Sequence, residues 1–144
     1  MRQATLGMAM ALLLPIPAPA AAAVQSAPAD PSPVLIFFDW GKPDIGSDAA
    51  AALDALAADD RAAPERRLHI TGHSDRSGSA AGNRRSAARR ADTVAAYLEA
   101  RGVPRSAMMI ASFGEDRPLI PTADGVREPQ NRRVEVSLAP IAAP

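Results

Sequence analysis

No cysteine occurs in the 144 residues. That absence removes disulfide stapling, thiolate chemistry, Cys-ligated zinc and a lipid-modified N-terminal cysteine together. Aromatic residues are scarce, with one Trp, one Tyr and three Phe, so a core has to be assembled from Ala, Leu, Ile and Val. Net charge is missing as well: Lys plus Arg number 16 against 16 Asp plus Glu. Bulk attraction to nucleic acid or to an anionic membrane is therefore not indicated, and charge recognition has to be local. The apolar stretch Leu6 to Leu14 is far shorter than the roughly 20 residues of a spanning helix, and Pro15, Pro17 and Pro19 would break its continuation. What is present, 47% hydrophobic and 22% charged residues over a length suited to one domain, is globular in class.

The N-terminus reads as a secretory signal over residues 1–23. Met1-Arg2 is a small basic region, Leu6 to Leu14 the apolar one, and the alanines through Ala23 offer the small residues a signal peptidase accepts. An uncleaved anchor is the alternative; after cleavage no integral membrane segment is expected. Residues 24–33, with Pro28, Pro31 and Pro33, have the composition of a short extended linker.

Folded matter is expected over residues 34–138. Val34 to Phe38 is a continuous apolar run that suits a buried strand. A helix starts near Ser47, because Ala49, Ala52, Leu53, Leu56 and Ala57 recur at helical spacing, and it ends before Pro64. Leu68 to Thr71 is a second strand. Arg84 to Arg101 is a second helix with an apolar stripe of Ala87, Ala91, Val94, Ala95 and Leu98, stopped by Gly102 and Pro104. Met108 to Phe113 is a third strand, Gly114 to Gln130 a long loop with room for one helical turn, and Val134 to Leu138 alternates as a half-exposed last strand. The tail, residues 139–144, reads as frayed. The order of elements is thus strand, helix, strand, helix, strand, strand, or β-α-β-α-β-β.

The stretch from Thr71 to Val94 carries the chemistry. A polar loop with a carboxylate at Asp75 leads into a helix bearing Arg84, Arg85, Arg89 and Arg90 in its first half. Cations there oppose the helix dipole at a cost of roughly 0.3–1 kcal/mol each. Beside the lone Asp75 they suit a ligand carrying both a carboxylate and an amine; a solvated arginine-rich face is the plain alternative. Arg90 flanks the buried stripe, whereas Arg85 and Arg89 lie on the wet side of the wheel. Spacing leaves open whether Asp75 and Arg90 form a structural ion pair or face one ligand from opposite sides.

His73, Ser74 and Asp75 do not suggest a hydrolase, because adjacent residues do not readily converge as a triad. His69 and His73 are poor metal partners, roughly 13 Å apart if extended and with no third ligand motif. No cofactor and no metal are expected.

Phe37-Phe38-Asp39, Thr71-Gly72-His73-Ser74-Asp75 with Gly78, Asn83, Arg90-Ala91 and Val94, Gly102-Val103, Phe113-Gly114-Glu115 with Pro118, and Asn131-Arg132-Arg133-Val134-Glu135-Val136 follow one another along the chain. This series resembles the OmpA C-terminal, peptidoglycan-binding (OmpA-like) domain over nearly all of Val34 to Leu138. The resemblance implies an α+β fold (an α/β sandwich), a β-α-β-α-β-β mixed sheet with helices packed on it, and a non-enzymatic, non-covalent binder of the diaminopimelate in the peptidoglycan stem peptide. It places the protein in the periplasm of a Gram-negative envelope, by the cell wall and outer membrane. Asp75 would meet the ammonium and Arg90 the carboxylate. Gly72, His73 and Ser74 would shape the loop, Asn83 would fix the helix entry, and Asp39 with Gly41 would line the pocket mouth; Asn131 and Arg132 are further carry-overs. Ser74 replaces the family's Thr, Gly82 its Tyr, and Ser86-Ala87 its Leu-Ser, so the helix start buries less apolar surface, a matter of a few kcal/mol at roughly 25 cal/mol/Å². The alternative implied is an envelope protein that uses the fold for contacts with an outer-membrane or periplasmic protein and binds cell wall weakly or not at all.

Overall fold

A computed structural model describes residues 32–62 and 65–140. The expected secretory signal, nearly all of the linker, Pro64 and the end of the tail lie outside the described residues. The elements run β1 (Val34–Phe37), α1 (Ser47–Ala62), β2 (Arg66–His73), α2 (Ala80–Ala100), β3 (Met108–Gly114) and β4 (Arg133–Pro140), with short 3-10 turns at Arg105–Ala107 and Pro129–Asn131. This is the expected order of strands and helices. The four strands form one sheet in the order β1-β4-β2-β3. β4 lies antiparallel to both β1 and β2, and β2 lies parallel to β3. A parallel pair needs a long crossover, and α2 supplies it.

One face of the sheet makes the core. Ile36, Leu68, Ile70, Val134, Val136 and Leu138 point into it from the strands, meeting Leu53, Leu56 and Ala57 of α1 and Ala91, Val94, Ala95 and Leu98 of α2. α2 can approach closely because of Gly72. A Cβ added there would lie 2.1 Å from the Ala87 carbonyl oxygen, so the helix backbone rests directly on β2. α2 ends as the sequence requires. Gly102 takes φ +92°, its N–H donates to the Glu99 carbonyl at 3.0 Å and that of Val103 to the Leu98 carbonyl at 3.2 Å. This is the Schellman arrangement, with Leu98 and Val103 both buried.

Several expectations are corrected. α2 starts at Ala80, because the Ser79 hydroxyl accepts from the Gly82 N–H at 3.1 Å and caps it. Arg84 therefore sits in the second turn, away from the strongest part of the dipole. β2 extends to His73, so Gly72 and His73 belong to a strand and not to a loop. β1 is an edge strand with Leu35 and Phe37 exposed, since helices cover only one face. Ala139 and Pro140 pair with Arg67 and Arg66 and are not frayed. Among the described residues no helix is long and apolar enough to cross a membrane.

Candidate ligand-binding site

The outgoing end of β2, the middle of α2 and the residue before β4 converge on one buried charged cluster. Asp75, Arg90 and Arg132 are 3%, 5% and 7% exposed. Asp75 pairs with Arg132: Nη1 donates to Oδ2 at 2.9 Å. Its other oxygen accepts from the Ser77 hydroxyl at 2.7 Å and from the Ser77 N–H at 3.4 Å. Burial pushes the Asp75 carboxyl pKa up, but the bonds from Ser77 and Arg132 outweigh it and hold the group below its ordinary value. Asp75 is thus an anion at neutral pH. A carboxylate oxygen has two lone pairs, so Oδ2 keeps acceptor capacity for a further donor.

Arg132 is locked in turn. Its Nε donates to the Phe38 carbonyl at 3.2 Å, and its own carbonyl accepts from the Phe38 N–H at 2.9 Å. This strap ties the end of β1 to the start of β4 and places Asp39 beside Arg132.

Arg90 is not consumed by Asp75. Its one protein hydrogen bond among the described residues runs from Nη1 to the His73 carbonyl at 3.3 Å, and its guanidinium lies 5.8 Å from the centroid of the Phe38 ring. Burial lowers the Arg90 pKa, and the neighbouring Arg132 charge lowers it further, with Asp75 acting in the opposite sense. The cluster holds two guanidinium groups and one carboxylate, which leaves one surplus positive charge with its surroundings desolvated. That imbalance suits an anion. The buried Ser74 hydroxyl lacks a partner among the described residues, so it adds an uncommitted donor and acceptor beside Asp75.

The Asp39–Lys42 turn separates two recesses. One, of about 640 Å³, includes Phe38, Asp39, Lys42 and Arg132 in its wall; the other, of about 250 Å³, includes Gly41, Ser86, Arg89 and Arg90. Asp39 and Gly41 thus face different recesses.

The remaining sequence candidates have other work. His73 contributes its carbonyl to Arg90, but its ring packs against Phe113 at 5.8 Å between centroids, with Nε2 3.8 Å from Glu135. Its expected loop-shaping role is replaced by a strand position. Asn83 donates to the Gly78 carbonyl at 3.3 Å and to the Glu115 carboxylate, joining the helix entry to the loop after β3. Asn131 does not serve as pocket lining: its amide oxygen accepts from the Ile120 N–H and its amide nitrogen donates to the Ile120 carbonyl, both at 2.8 Å. It clamps the long loop. Of the four helix arginines, Arg84 is taken by Asp116 at 2.8 Å, and only Arg89 accompanies Arg90 at the smaller recess.

The central place of Arg132 exceeds what sequence reasoning assigned to it. A signal was present, since Arg132 shares the parity of Val134 and Val136 and therefore points to their buried face. A cation on that face needs an acid.

The description "OmpA family" matches residues 37–132. An outer membrane protein of Gluconacetobacter diazotrophicus is 37% identical over 118 residues, covering 78% of this chain and 31% of that protein. The peptidoglycan-associated lipoprotein of Legionella pneumophila is 36% identical over 101 residues, 70% of this chain and 57% of the relative. The chain thus spans between about a third and somewhat over half the length of these relatives. Among solved structures, the peptidoglycan-associated lipoprotein from Burkholderia pseudomallei superposes with a TM-score of 0.68 at 26% identity, covering 73% of this chain and 89% of that one. The C-terminal domain of Helicobacter pylori MotB gives 0.64 at 22% identity, over 74% and 84% of the two chains, a likeness of fold.

Proposed function

This chain belongs to the OmpA family, and on that premise we propose that it binds peptidoglycan without covalent chemistry, through the diaminopimelate of the stem peptide. The observation that carries the reading is Arg90, a buried guanidinium with no carboxylate of its own among the described residues, beside a buried carboxylate that retains acceptor capacity. The free end of diaminopimelate bears an ammonium and a carboxylate on one carbon. Asp75 meets the ammonium and Arg90 the carboxylate, each by a charge-assisted hydrogen bond worth about 1.5–3 kcal/mol when shielded from water. Arg132 acts as a positioning residue that aims the Asp75 carboxylate, and Ser74 offers its hydroxyl. Relatives with names such as "peptidoglycan-associated lipoprotein" support the ligand class. The secretory signal expected over residues 1–23 supports a place in the periplasm, by the cell wall and outer membrane, with an outer-membrane or periplasmic protein as a further partner.

A pull-down with purified diaminopimelate-type peptidoglycan tests this. Wild type is expected in the bound fraction and Arg90→Met and Asp75→Asn in the unbound one, with circular dichroism showing all three folded. A wild-type chain that stays unbound at low salt would sink the proposal and leave protein contacts as the use of the fold.

A further inference from the structure

The recess beside Arg90 has a charge pattern that one carboxylate does not exhaust. Six residues line its volume of about 250 Å³: Gly41, Lys42, Pro43, Ser86, Arg89 and Arg90. Three are cations and none is an acid. The Lys42 ammonium makes only a loose contact, 3.9 Å from the Asp39 carboxylate with both side chains largely exposed. Arg89 makes no ion pair among the described residues, and its backbone carbonyl alone is engaged, by the Thr93 hydroxyl. Elsewhere on the surface, Arg84, Arg101 and Arg105 each have a carboxylate within 3.2 Å. What sets this recess apart is that three cations line one concavity with no acid among them.

We infer that the recess holds a second carboxylate of the bound peptide, received by Lys42 and Arg89 next to the one at Arg90. The inference rests on the reading that Arg90 receives a carboxylate, and it adds that the ligand is a polyanionic peptide end. A stem peptide can supply the second group from two sources. The other carbon centre of diaminopimelate carries a free carboxylate only when no residue follows it. The preceding γ-linked D-glutamyl residue carries a free α-carboxylate unless that group is amidated. In either case Ser86 adds a hydroxyl donor at the recess wall.

The test uses isothermal titration of the full chain with three synthetic peptides. The parent is L-Ala–γ-D-Glu–diaminopimelate; the second carries a C-terminal D-alanine amide, which removes the free carboxylate at that end, and the third amidates the D-glutamyl carboxylate. One capped peptide is expected to bind about five-fold more weakly than the parent, the scale of two partly exposed ion pairs, and which one it is identifies the source. In a Lys42→Ala, Arg89→Ala double variant the parent falls to the affinity of that capped peptide. The difference also shrinks as salt rises. Equal binding of all three peptides to wild type overturns the inference while leaving the proposed function standing, as does a preference that survives in the double variant. No binding of any peptide overturns both.

Discussion

Arg132 and Arg133 are neighbours in sequence, yet they build two different charged clusters on opposite faces of the sheet. Arg133, with its side chain 4% exposed, reaches Glu135 at 2.7 Å through Nη2 and at 2.8 Å through Nε, and also donates to the Arg117 carbonyl. One arginine meets one glutamate, and His73 lies beside them with Nε2 3.8 Å from the Glu135 carboxylate. On the other face Arg132 pairs with Asp75, while Arg90 feels both charges without bonding the carboxylate. The first cluster is balanced and has the form of a structural element. The second carries one cation too many, which a structure built only for stability would avoid, because an unpaired buried charge costs several kcal/mol. Burial of charge does not by itself mark a site; imbalance does.

Removing Asp75 should break this comparison most severely. Asp75→Ala strands the buried Arg132 guanidinium and leaves Arg90 beside an uncompensated second cation, and a loss of about 3–5 kcal/mol in urea unfolding is expected, together with loss of peptidoglycan binding. Glu135→Gln strands Arg133 in the same manner, but the Glu135 side chain is 31% exposed and water can enter. A smaller loss of about 1–3 kcal/mol is expected, with the pull-down unchanged. Arg90→Met sharpens the contrast, since it removes the surplus charge and keeps the packing length. Its stability should lie within about 1 kcal/mol of wild type while binding disappears, so a large destabilisation would show that Arg90 is structural.

The smallest effect concerns pH. Burial lowers the His73 pKa from its ordinary 6.5, Arg133 lowers it further, and Glu135 opposes both; Arg117 and Phe113 also face the ring. Below pH 6.5 the unfolded chain therefore takes up the proton before the folded one, and stability falls as pH falls. In His73→Gln the slope of Tm between pH 7 and pH 5 should flatten. Asp75 adds its own loss only as pH drops below its ordinary 3.8, because its folded pKa is depressed.

Much of the fold was legible because local chemistry and tertiary packing agree. Apolar spacing marked both helices, and Gly102 marked the end of α2. The two strands at the other side of the sheet were harder. The continuous apolar run of β1 lies on an edge with Phe37 48% exposed, whereas the alternating Val134 to Leu138 lies in β4 between β1 and β2. Hydrophobicity reports how many faces of a strand are apolar, and sheet order is decided by pairing partners far away in sequence. Within the site, Asp75 and Arg90 stood out by charge and helix phase alone.

The sequence by itself determined the two-helix, four-strand order, the absence of cysteine chemistry, the burial phase of Arg90 and the small residue at Gly72 that lets α2 rest on β2. Only the tertiary structure decided which arginine holds Asp75. Arg132 lies 57 residues away and reaches it because β4 inserts between β1 and β2. A periodic pattern specifies which side of its own element a residue faces, but the partner on that side depends on the order in which the strands pair. That order leaves Arg90 with a charge that no carboxylate among the described residues neutralises.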